Sequence, residues 1–147
     1  LQSSIDINRK IKEIVGKDSF PLNLLHLELA EEIPRFPGNE AQITFAIKNI
    51  IRNAFEATGT SGKIEIRTAY HARQNTIVLE VSDNGTGISV DELEKIFDMF
   101  YSTKNKGRGL GLTITRNIIE NHGGKITIDT TQGVGSSVKI YFPLQKT

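Results

Sequence analysis

The chain has 147 residues, a formal net charge of +1 and no cysteine. That is the length of one domain, and it leaves no disulfide framework or thiolate metal site. A charge so near zero gathers neither nucleic acid nor an anionic membrane, so any bound anion must be held by local geometry.

Hydrophobic residues make up 37%, enough for one core, and residues 1–147 read as a single domain. No apolar run approaches the roughly 18 residues of a spanning helix, and no signal-peptide pattern opens the chain. The first residue is Leu1 rather than Met. The expectation is therefore an excised, cytoplasmic, monomeric fragment without direct membrane contact.

Ile7, Ile11, Ile14 and Val15 fall at helical spacing and predict a helix within Ile5–Val15, which Gly16 would stop. Leu22–Ile33 follows, where Leu25, Leu27 and Leu29 alternate as in a strand with one buried face. Pro34, Pro37 and Gly38 then break the chain. Asn39–Thr58 is the clearest helix. Asn39 is a good N-cap with Gln42 at capping-box spacing, and Phe45, Ile47, Ile50, Ile51, Ala54, Phe55 and Ala57 form a broad apolar face. Two strands, Lys63–Tyr70 and Thr76–Ser82, read as a hairpin.

Beyond the glycine turn at 83–87, Ser89 caps a short helix holding Leu93, Ile96 and Phe97. Tyr101–Gly109 is polar and basic and reads as mobile, with few apolar anchors. Leu110–Asn121 is helical and ends at His122-Gly123-Gly124; strands Lys125–Thr130 and Ser136–Phe142 close the chain. Helix, hairpin, helix, hairpin predicts an α/β two-layer sandwich: a mixed, mostly antiparallel sheet of about five strands covered by about three helices.

Three groups of residues carry chemistry. Asn49 and Asn53 lie four apart in an apolar helix and share a face. Aimed into a cavity, their amide oxygens suit a hard cation such as Mg²⁺; bonded to neighbours, they are structural. Asp83-Asn84-Gly85-Thr86-Gly87-Ile88 follows a strand. It is either an ordinary Asx-type turn or a carboxylate placed to accept from an exocyclic amine. Gly107-Arg108-Gly109-Leu110-Gly111-Leu112 opens a helix, where free N–H groups suit phosphate. Lys104, Lys106 and Arg108 around it form a solvated loop or a phosphate lid. The spacing is neither that of a Walker A loop nor that of a dinucleotide fingerprint.

Taken together and in this order, these motifs resemble the histidine-kinase branch of the Bergerat-fold ATP-binding superfamily, which also holds gyrase, a heat-shock chaperone and MutL. The resemblance runs from about Asp6 to Pro143. Asn49–Ala54 resembles the N box, Asp83–Ile88 the first G box, Phe97-Asp98-Met99-Phe100 the F box, and Gly107–Leu112 the second G box. His122-Gly123-Gly124 and Gly133-Val134-Gly135-Ser136 also match.

The resemblance implies that Asn53, helped by Asn49, ligates the Mg²⁺ that bridges the ATP phosphates. It implies that Asp83 binds the adenine amino group, and that Gly85 and Gly87 let the base approach the backbone, with Ile88 beside it. Gly109 and Gly111 would present N–H groups to the phosphates, flanked by Leu110 and Leu112. Lys104 would reach them as a point charge, with Thr103 and Phe100 alongside. Ser137 stands where the family often has a threonine, and a hydroxyl near this strand can join the adenine water network. Tyr101-Ser102-Thr103-Lys104 resembles kinases of the nitrogen-regulation type. Met99 replaces a common Pro, and Arg108 a common small residue; Arg108 either adds a phosphate contact or obstructs one.

Position 49 separates the branches. Gyrase-like ATPases carry a Glu there as general base, and anti-sigma-factor serine kinases usually an acidic residue, whereas Asn takes no proton at neutral pH. The resemblance thus implies a poor ATPase and a good phosphoryl donor, with positioning as its main task. The alternatives are a gyrase- or MutL-like ATPase and a nucleotide-sensing binding module. His26, His71 and His122 do not read as phosphoacceptors. The implied partners are a dimerisation domain carrying that histidine, of whose linker residues 1–17 would hold the end, and a response regulator.

Overall fold

The computed structural model describes residues 2–17, 22–58, 62–85, 108–131 and 133–144, the side chains at 22 and 108–111 excepted. The elements in chain order are β1 (Ser3–Ile5), α1 (Ile7–Lys17), a 3₁₀ turn (Leu22–Leu24), β2 (Leu25–Glu28), β3 (Phe36–Gly38) and α2 (Glu40–Thr58). They continue with β4 (Ile64–His71), β5 (Thr76–Asp83), α3 (Arg108–Asn121), β6 (Lys125–Thr131) and β7 (Gly135–Pro143). The short helix expected after Ser89 and most of the basic stretch to Gly109 lie outside the described residues.

Five strands form one sheet in the order β2-β4-β5-β7-β6. The β2–β4 pair is parallel and the other three are antiparallel. Each strand alternates, so Ile64, Ile66, Ile77, Leu79, Val81, Ile140 and Phe142 turn to one face and are buried there. The opposite face is polar, with Arg67 bridging Glu28 and Glu65 at 2.9 Å each. Among the described residues helices cover the apolar face alone, which is the expected two-layer mixed sandwich.

α2 begins where the capping signal put it. Asn39 Oδ1 accepts the Gln42 N–H at 3.0 Å, satisfying a donor that the first turn cannot. Its buried stripe is Ile43, Ala46, Ile47, Ile50, Ile51, Ala54 and Phe55. Phe45 was expected on that face but is 42% exposed, because it falls between the stripe's i+3 and i+4 steps. α1 starts after Asp6, whose Oδ1 accepts the Arg9 N–H. Gly16 does not stop it; the helix runs one residue further, to Lys17. Ile7, Ile11, Ile14 and Val15 all join the core, so residues 7–17 are integral to the fold.

A second, two-stranded sheet pairs β1 with β3. It was not expected, since Pro37 reads as a breaker. A proline can sit in a two-stranded edge where its missing N–H faces away from the partner. Phe36 beside it is buried and stacks on Phe142, ring centroids 4.7 Å apart.

Candidate functional site

The two asparagines lie on the flank of α2 that meets α3. The helices run antiparallel, and two hydrogen bonds fix how they are matched. At one end the Asn39 N–H donates to His122 Nε2 at 3.0 Å. Ten residues on, Asn49 Nδ2 donates to Thr115 Oγ1 at 3.2 Å. Continuing that match one turn brings Asn53 level with the first turn of α3, where Arg108, Gly109, Leu110 and Gly111 lie. The N–H groups of that turn have no partner within the helix and sit at its positive end.

Asn53 is the anomaly in this seam. Both Oδ1 and Nδ2 are buried, and neither has a hydrogen-bond partner among the described residues. A buried amide left unpaired costs on the order of 1–3 kcal/mol, so a residue of this kind wants a ligand. The arrangement favours a hydrated divalent ion held by amide oxygen and substrate phosphates over a protein cage. Among the described residues, no three His, Cys, Asp or Glu side chains cluster to form such a cage. The asparagine pair therefore splits: Asn49 is bonded across the seam and Asn53 is the group that fits a cation.

β5 delivers Asp83 to the same end of the molecule. Asp83 continues the series Ile77, Leu79, Val81, so strand alternation turns it to the helix-covered face. Its Oδ1 accepts the Gly85 N–H at 2.9 Å, an Asx-type turn that holds the carboxylate in place. The Asx-type turn is thus present in the structure. Gly85 also meets a packing requirement. A Cβ there would strike the Ala57 carbonyl near the end of α2, so the glycine lets the turn pack on the helix.

Ser137 is a correction. It pairs with Ser82 in the β5–β7 register, and its hydroxyl donates to Glu80 Oε2 at 2.8 Å on the polar face of the sheet. A period of two makes the neighbouring position the one that shares a face with Asp83. That residue is Ser136, the register partner of Asp83, whose Oγ lies 2.8 Å from Thr130 Oγ1. Counting across the hairpin would have found it. Thr115 was also missed; the available signal was a polar residue one turn beyond Gly111 in an apolar helix.

Of the remaining expected residues, Leu112 is half-buried in α3, and Gly109 and Gly111 lie in that helix's first turn. The side chains of Arg108 and Leu110 are not described, and Gly87, Ile88, Phe100, Thr103 and Lys104 lie outside the described residues. The structure thus brings together Asn49, Asn53 and α3 by direct contacts or helix matching, and Asp83 with Gly85 at the adjoining strand end.

Residues 38–146 match the family described as histidine kinase-, DNA gyrase B-, and HSP90-like ATPase. Sensor histidine kinase ZraS of Escherichia coli strain K12 is 30% identical over 148 residues, covering 98% of this chain and 31% of the relative. Sporulation kinase C of Bacillus subtilis strain 168 is 39% identical over 108 residues, 74% of this chain and 25% of that protein. The solved catalytic domain of histidine kinase ThkA superimposes with a TM-score of 0.83 at 30% identity, covering 97% of this chain and 95% of that one. The chain spans about a sixth to a third of the length of the curated relatives it matches. The site's geometry and the reach of these matches agree: the chain belongs to the family of histidine kinase-, DNA gyrase B- and HSP90-like ATPases.

Proposed function

We propose that residues 1–147 form one ATP-binding catalytic domain of a two-component sensor histidine kinase. It transfers the γ-phosphoryl group of ATP to a histidine carried by a separate dimerisation domain, from which a response regulator would receive it. The observation that carries this reading is Asn53: a buried, unpartnered amide one helical turn from Asn49 and level with the open N-terminal turn of α3.

In this reading Asn53 offers its Oδ1 to Mg²⁺, with Asn49 one turn away. Bound there, the ion would neutralise charge on the phosphates. Asp83 accepts from the adenine amino group, with Ser136 facing the same space. The first-turn N–H groups at Gly109 and Gly111 meet the phosphates, Lys104 would add positive charge, and Arg108 would either add a phosphate contact or obstruct one. By the resemblance alone, Gly87, Ile88, Phe100 and Thr103 are assigned to nucleotide binding as well.

Position 49 supports transfer over hydrolysis. Its amide cannot act as a base, and its nitrogen is committed to Thr115. The acceptor must then be a nucleophile in its own right, as an imidazole is. None of the chain's own histidines suits that role. His26 and His71 lie exposed on the polar face of β2 and β4, and both ring nitrogens of His122 are bonded. Among the described residues no helix is long and apolar enough to cross a membrane.

Mixing the domain with a helical hairpin from its own parent kinase and γ-labelled ATP tests the reading. An acid-labile label on the hairpin histidine is the expected result. Rapid ATP hydrolysis by the domain alone would instead favour a gyrase-like ATPase. Calorimetry showing no ATP binding would reduce the domain to a docking module.

A further inference from the structure

His122 stands where α3 ends and α2 begins. α3 closes in a Schellman arrangement, with Gly124 N–H donating to the Ile119 carbonyl and Gly123 N–H to the Glu120 carbonyl. Gly123 takes the required φ of +79°. This closure makes His122 the C-cap and aims its ring across the seam.

Both ring nitrogens are engaged. Nδ1 lies 2.7 Å from the Ile118 carbonyl, and Nε2 lies 3.0 Å from the Asn39 backbone nitrogen. A carbonyl only accepts, so Nδ1 carries the proton; a backbone N–H only donates, so Nε2 carries the lone pair. The two partners therefore fix a neutral Nδ1–H imidazole. The ring also packs closely on Gly38, where an added Cβ would meet Cδ2 at 3.1 Å and Nε2 at 3.2 Å. Gly38 ends β3 and pairs with Ser3. One ring thus touches β3, the N-cap of α2 and the Ile118 carbonyl in the last turns of α3.

We propose that His122 is a positioning residue: its Asn39 bond sets the lengthwise match of α2 against α3 and so places Asn53 beside the phosphate end of the site. Among the described residues Asn53 has no side-chain hydrogen bond that would hold it, so its position is inherited from the helix. A slide of one residue would move it about 1.5 Å, enough to spoil a metal–oxygen distance. The inference rests on reading this seam as the Mg·ATP site.

Two substitutions separate a positioning role from mere capping. His122→Gln can put an oxygen where Nε2 stands and keep the Asn39 bond. His122→Asn can still donate to the Ile118 carbonyl but is too short to reach Asn39. Circular dichroism confirms that each variant folds. In calorimetry, His122→Asn is expected to lose about tenfold in Mg·ATP affinity, as loss of supporting partners does at metal sites. Binding of ATP in excess EDTA should change little, and His122→Gln should restore the loss. Equal losses with and without Mg²⁺, or no loss in His122→Asn, would overturn the proposal.

A nuclear magnetic resonance readout needs no nucleotide. Imidazole ¹⁵N shifts should report the Nδ1–H form, and the Asn49 side-chain amide should shift in His122→Asn and return in His122→Gln. An Nε2–H ring or an unmoved Asn49 amide would overturn the positioning role even if ATP binds. If the parent domain bound no ATP while these signals behaved as expected, the Mg·ATP reading would fail and the helix-matching role of His122 would stand.

Discussion

Asn49 Nδ2 donates to the Oγ1 of Thr115, a residue fully buried between α2 and α3. The nitrogen of one amide of the pair is thereby spent on the scaffold, whereas Asn53 has neither side-chain atom bonded among the described residues. Thr115→Val removes the acceptor while keeping the shape. It is expected to cost about 1–2 kcal/mol of stability, since it strands a buried donor. Thr115→Ser should cost less than the valine. Urea titration of both variants checks this; a valine variant as stable as the parent would remove Asn49–Thr115 from the seam.

Asp83 already accepts one hydrogen bond, from the Gly85 N–H. In Asp83→Asn the amide must keep its oxygen toward Gly85, and its NH₂ then confronts the adenine amino group, donor against donor. Nucleotide affinity is expected to fall about ten- to hundredfold, the range for a donor left unpaired on burial. Calorimetry with ATP measures it, and an unchanged affinity would exclude adenine from this strand end.

Asn53→Ala is expected to separate stability from function. Removing an unpartnered buried amide lifts a penalty of roughly 1–3 kcal/mol, against which a small cavity forms. The ligand-free variant should therefore unfold at or above the parent's temperature, yet lose the Mg²⁺-dependent part of ATP binding. Asn53→Asp should keep ATP binding and mainly damage Mg²⁺-dependent transfer. Scanning calorimetry and titration in Mg²⁺ or EDTA decide; a strongly destabilised alanine variant would mean that Asn53 is structural.

Ser136 and Ser137 differ only by which face of the sheet they occupy. Ser136→Ala is expected to weaken ATP binding several-fold, about 0.5–1.5 kcal/mol for one hydrogen bond. Ser137→Ala should leave it unchanged while loosening Glu80 on the far face. The reverse ranking would place the base on the polar side of the sheet.

Local signals were legible where the chemistry is local. The Asn39 cap, the stripe of α2 apart from Phe45, the two hairpins and the His-Gly-Gly stop are encoded within a few residues, and the structure realises each. What stayed hidden depends on partners far along the chain. Pro37 looks like a breaker until Ser4 lies beside it, 33 positions earlier. The leucine run at 22–33 shortens to β2 because only Leu25–Glu28 of it pairs with β4, at Ile64–Arg67, and Ala30 turns instead to the Thr68 hydroxyl. Asn49 and Asn53 look equivalent in one dimension; only Thr115, on another helix, makes them different. Ser137 was misplaced by one residue because a strand's facing is set by register rather than by motif position.

The sheet's order has a consequence for how a nucleotide would be felt. β5 is the middle strand of five, so Asp83 is rooted where the backbone is paired on both sides. Asn53 and the first turn of α3 belong to the helical layer instead. A ligand grasped at both ends would rivet one layer to the other across the apolar core. Occupancy would then register as slower amide exchange along the inner sides of both layers, far from any atom the ligand touches, and as a melting temperature that climbs with ligand concentration.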